Sequence, residues 1–259
     1  MVDTLLDVNL PLAFSGVHQR ADAWVVVLAW TTLGLGFASA LVVLFDIYVR
    51  GYRQRMGIME AVYPITGLYW GPVMLWFYFR RGRKKSPKWQ EEHPHDEEDL
   101  GRNVAGSPWW ATSKGDAHCG AGCTLGDIGG EWLVWLVAWT IPIFGYFAAN
   151  ELIAVYIADF ALAWSFGIVF QYFTIVPMQG LGRLQGVWQA IKADTLSIVA
   201  FQAGLFAAMG IYHLVIWQPP LMLDSPEYWM MMQLSMVVGY FTAWPVNGWL
   251  IKNGVKETM

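Results

Sequence analysis

Residues 118–131 read HCGAGCTLGDIGGE and lead, through Trp132, into a tryptophan-rich apolar run. The stretch holds both cysteines of the chain and places His118, Cys119, Cys123 and Asp127 within ten residues. Between them, Gly120, Gly122 and Gly126 offer backbone that turns at positive φ and approaches a ligand closely. The stretch therefore reads as a ligand-holding loop at the mouth of a membrane helix.

The chain around it is built for lipid. Of 259 residues, 56% are hydrophobic and only 14% charged, far from the composition of soluble domains. The runs 23–45, 133–149, 152–176, 196–217 and 229–251 contain, among acids and bases, only Asp159 and His213. Each is of the length that crosses about 30 Å of hydrocarbon at ~1.5 Å per residue. A sixth apolar run, 58–79, is interrupted by Pro64, Gly67, Gly71 and Pro72, so it either crosses as a kinked helix or turns back as a re-entrant hairpin. The expected fold is all-α: a polytopic helical membrane protein with six apolar segments. Residues 1–22 form an interfacial lead-in, 23–79 the first two membrane segments, 80–130 a cytoplasmic loop carrying the Cys/His motif, and 131–259 a four-helix membrane region. Residues 1–22 carry Asp3, Asp7 and Asp22 and no basic leader, so the first span is expected to be retained.

The distribution of basic residues sets the orientation. If all six runs cross, 13 of the 16 Lys and Arg fall on the cytoplasmic side, and 15 do so if the second run re-enters. Both arrangements put residues 80–130 and the carboxyl end in the cytoplasm, where Cys119 and Cys123 are expected as free thiols. The net charge of −4 says little about nucleic acid, but the cations are strung along interhelical loops and do not line one face, so no nucleic-acid partner is expected. The basic run 80–88 reads as a topology anchor on anionic lipid, and the run 93–99, with His93 and His95, as a solvated acidic stretch. Asp194 and Ser197 are expected to initiate a helix. Asp159, inside an apolar run, is either a functional acid or a satisfied interhelical hydrogen bond.

Several unusual motifs occur in order: IMEAVYPITGLYWGP at 58–72, HCGAGCTLGDIGGEW at 118–132, FQYFTIVPM at 170–178, KADTLSIVAFQ at 192–202, and the tail from Tyr240. On these, residues 58–259 resemble the bacterial membrane-protein family catalogued as domain of unknown function 4396. The resemblance implies a multi-pass helical fold in the bacterial inner membrane, with a hallmark loop at His118, Cys119, Cys123, Leu125, Gly126 and Asp127. It implies no reaction.

Thiolate, thioether and imidazole donors together select soft ions, Cu(I) above all. The expected function is therefore handling of a soft transition metal. At the loop, Cys119, Cys123 and His118 are the expected ligands, with Asp127 an acceptor that orients the loop or its histidine. A second, outer site is expected from Met209 and His213, with Met232 and Met236 of the next helix, since each pair is four apart on one helical face. The alternative is a non-catalytic accessory or assembly subunit of a membrane complex, with the bilayer, other subunits or a second copy as partners. No Walker loop, serine triad or Cys-x-x-Cys motif points to an enzyme.

Overall fold

Every regular element among the described residues, which are 22–94, 108–140, 151–217 and 221–256 of a computed structural model, is helical. Helix α1 (Ala23–Leu44) is extended to Val49 by a wider π-helical turn. It exposes large apolar side chains such as Trp30 and Phe37 and buries small ones, Gly36, Ser39 and Ala40 among them. The lead-in before Asp22, His95 with the rest of the acidic stretch, and the turn around Asn150 lie outside the described residues.

The interrupted run doubles back. Helix α2 (Met59–Trp70) ends at Gly71, whose φ of 54° and ψ of −130° suit glycine, and α3 (Pro72–Phe77) starts at once with Pro72 in its first turn. The limbs then pack on each other: the rings of Tyr63 and Tyr78 meet edge-on at 5.3 Å, and a Cβ on Gly82 would lie 2.8 Å from the Tyr63 ring. A short helix, α4 (Pro87–Glu92), capped by Ser86, follows. The hairpin tip sits at the middle of α1, where a Cβ on Gly36 would come within 2.3 Å of the Leu68 carbonyl oxygen. That carbonyl, freed by the break, accepts a 2.6 Å hydrogen bond from Gln233 Nε2, the kind of compensation that broken backbone requires away from water.

Four long helices make the rest: α5 (Pro108–Thr140), α6 (Glu151–Gln179), α7 (Arg183–Ile211) and α8 (Pro226–Lys252). They run antiparallel in chain order, and α8 closes the bundle against α5. Among the described residues, three helical stretches are long and apolar enough to cross a membrane: Ala23–Val49, Ile153–Gln179 and Arg183–Ile216. Helices α5 and α8 are as long but carry more polar residues, among them Asp116, Asp127, Gln233 and Asn247.

The stretch 118–131 is not a loop. It lies inside the 33-residue α5, and the region 80–130 is divided between the basic arm of the hairpin and this helix. Its glycines line a helix–helix seam. Gly122, Gly126 and Gly130 are four apart, and so are Asp159, Ala163 and Gly167 of α6, which they meet in turn. An added Cβ would lie 2.7 Å from Gly167 Cα at Gly122 and 2.2 Å from Ala163 N at Gly126. Small residues at this spacing let two backbones approach without hydrophobic drive from lipid.

Candidate functional site: a buried polar column

The α5 stripe of Asp116, Cys119, Cys123, Asp127 and Glu131 faces the bundle interior, and its first and last members are about 22 Å apart along the axis at ~1.5 Å per residue. His118, Cys119, Cys123 and Asp127 are each 0% exposed. Antiparallel packing brings polar residues of the other helices to matching heights. One end of the bundle gathers the amino-terminal parts of α5 and α7 with the carboxyl-terminal part of α8. The other gathers the opposite ends of these helices with the start of α6.

At the first end, the turn after α8 places Lys256 inside the bundle. Its Nζ donates to Asp194 Oδ1 at 2.5 Å and to Asn247 Oδ1 at 2.8 Å. Ser197 Oγ donates to the same Asn247 oxygen at 2.7 Å, and Asn247 Nδ2 donates to Asp116. Asp194 and Ser197, expected at a helix start, thus lie inside α7, because that helix begins at Arg183. In the middle, Cys119 and Cys123, one turn apart, are buried free thiols. Gln202 Nε2 donates to Asp127 Oδ1 at 2.7 Å. At the far end, Tyr228 donates to Glu131, and Asp159 packs its carboxylate over Gly130. Four carboxylate oxygens along this line, of Asp116, Asp194, Asp127 and Asp159, accept no hydrogen bond from the protein among the described residues, and neither does Gln202 Oε1.

The expected ligands are only partly brought together. His118 shares a helix with the cysteines but faces α6: Nε2 is 2.8 Å from Thr174 Oγ1, and its ring meets Phe170 edge-on. Successive helical residues point about 100° apart, so His118 leaves the thiol stripe on which it was expected to act. Asp127 pairs with Gln202, neither orienting a loop nor holding the histidine. Met209 and His213 do line one small cavity, beside Tyr228, but the methionine joining them from α8 is Met231. Met236 instead lies against α5, where Thr124 Oγ1 is 3.7 Å from its sulfur, and Met232 is buried in the same core. Among the described residues, no group of three or more His, Cys, Asp or Glu side chains converges as a metal site.

Sequence reading missed Asp116, Glu131, Tyr228, Asn247 and Lys256, and took Asp194 for a cap. The signal was the heptad-like spacing of 116, 123 and 127 on a stretch that glycines disguised as a loop. Gln202 and Met209, seven residues apart on α7, are both buried.

No curated protein and no solved structure matches the chain. The sequence model of one family matches residues 108–256, which is α5 to α8 with the tail lysine and excludes the hairpin. The region that contains the whole polar column therefore coincides with the shared domain, and the chain belongs to the family described as Domain of unknown function (DUF4396).

Proposed function

We propose that the chain is a multi-pass membrane protein that passes a small cation, in the first instance a proton, along the polar column of the α5–α8 bundle. One observation carries this reading: acids with an unpartnered oxygen recur from Asp194 and Asp116 through Asp127 to Asp159, in a bundle whose outer surface is apolar. Buried acceptors without donors call for water, protons or a cation. Ionisable groups at membrane depth are costly, and they recur where ions or protons pass. A structural role would be served more cheaply by neutral packing.

A second reading keeps the soft metal as cargo. It is favoured by the Cys119–Cys123 thiol pair, which sits midway along the column with Met236 packed beside Thr124. Two thiolates from adjacent turns suit Cu(I) better than a hard cation. His118 takes no part in this version.

Proton flux into liposomes containing the purified protein, driven by a potassium diffusion potential and read by an internal pH dye, tests the proposal. Wild type should acidify the lumen, and Asp127→Asn should stop it without lowering the thermal unfolding midpoint. The double variant Cys119→Ser, Cys123→Ser should keep the proton flux and lose retention of Cu(I) under reducing conditions, if the metal travels this way. Liposomes no leakier than empty ones, together with protein that never retains metal, would leave the accessory-subunit reading in possession.

A further inference from the structure

We propose that the hairpin completes the column: the hydroxyl of Tyr69, in the last turn of α2, relays protons between Asp116 and Asp127. The inference rests on the proton-passing reading of the column, and it adds to that path a residue from outside the matched region 108–256. Along α5, Asp116, Gly120, Cys123 and Asp127 are spaced four, three and four apart, which keeps them on one helical face. Gly120 is the member of this face without a side chain. It opens a notch about 6 Å from Asp116 and about 10 Å from Asp127 along the axis, at ~1.5 Å per residue.

The hairpin fills that notch. Thr66 Oγ1 donates to Ala117 O at 3.2 Å, and three residues further along both helices a Cβ on Gly120 would lie 2.5 Å from Tyr69 Oη. The Tyr69 ring is buried in the same core as Cys119, Cys123 and Phe201, with the Trp70 ring tilted beside it at 6.3 Å. Its Oη makes no hydrogen bond within the protein among the described residues. Tyr78, Tyr228 and Tyr240, also buried, donate theirs to Asp46, Glu131 and the Ser113 carbonyl. A hydroxyl buried without a partner is costly, and this one stands between two acids that each keep an unpartnered carboxylate oxygen. A phenol both donates and accepts, whereas the neighbouring thiols do both weakly. In each transfer the Tyr69 oxygen takes a proton from water on the Asp116 side as its own proton passes to water on the Asp127 side. The phenol is left neutral, and rotation of the hydroxyl resets it.

Tyr69→Phe removes the hydroxyl and keeps the ring. In the liposome assay it should lower proton flux by roughly a hundredfold, the lower end of what a positioned proton-transferring side chain contributes. The thermal unfolding midpoint should stay or rise, because no hydrogen bond within the protein is lost. Loss of flux together with a lowered midpoint would make the hydroxyl structural and overturn the assignment. A second measurement needs no flux. Gly120→Ala should lower the midpoint when Tyr69 is present, and lower it less in the Tyr69→Phe background, where the next ring atom, Cζ, is 3.5 Å from the new methyl and Phe201 Cε2, at 3.1 Å, is common to both. Equal losses in the two backgrounds would take the hydroxyl out of the notch and end the proposal. If wild type conducts and Tyr69→Phe conducts equally, the relay falls and the column reading stands. If wild type is no leakier than empty liposomes, the two fall together.

Discussion

Asp194 sits in the first half of α7 and carries its charge in full burial, met by a lysine that the chain supplies only after its last helix. Such a pair is a weak source of net stability, yet breaking it is expensive, because the surviving partner is left as an uncompensated buried charge. Lys256→Met should therefore destabilise the protein by about 3–5 kcal/mol, seen as a lowered thermal unfolding midpoint in detergent. Adding Asp194→Leu should recover most of the loss, since apolar groups of similar volume replace both charges. A Lys256→Met variant as stable as wild type would place the ammonium outside the bundle. None of this was legible locally. An aspartate near the start of an apolar run looks like a cap, and a lysine near the end of the chain looks like a topology charge. Their pairing is made by the turn after α8, where Gly254 takes a φ of 69°.

At the scale of elements, the same glycines support two opposite readings. In water, each glycine in a helix costs about 1 kcal/mol relative to alanine, and on that ground HCGAGCTLGDIGGE reads as a loop. Between membrane helices, glycines four apart form a groove for a neighbouring backbone, and the complementary spacing of Asp159, Ala163 and Gly167 on α6 was present in the sequence. The apolar runs were legible because lipid demands them over a length that sequence shows directly. The start of α5 was hidden because its polar stripe and its glycine ridge face protein, so mean hydropathy falls where packing is tightest. Two substitutions separate these accounts. Gly126→Ala would drive a methyl into the Ala163 backbone, which cannot rotate away, and should cost about 1–3 kcal/mol as overpacking does. Gly129→Ala meets only Leu162 Cδ1 at 3.6 Å, ordinary contact, and should be neutral or mildly stabilising. Equal effects of the two on the unfolding midpoint would dissolve the seam.

For the molecule as a whole, the hairpin changes the parity of the chain. Were residues 58–79 a crossing, both ends of the protein would face the same side; as a hairpin, they leave five long helices and put the ends on opposite sides. The charges agree with the second arrangement, since every described Lys and Arg lies toward the bundle end that holds the hairpin arm, the α6–α7 turn and the tail. Basic residues stay in the cytoplasm, so that end is predicted to be the inner one, with Asp22 and Asp224 outside. Single cysteines at Asp22, Lys88 and Asp224, introduced with Cys119 and Cys123 replaced by serine, can be treated in intact cells with an impermeant maleimide. Asp22→Cys and Asp224→Cys should label at once, and Lys88→Cys only after permeabilisation. Asp22→Cys carries the weight, because the other two positions behave alike in both arrangements. Its protection in intact cells would mean that the chain crosses at 58–79, and the packing of Tyr63 on Tyr78 and Gly82 would then have to be given up.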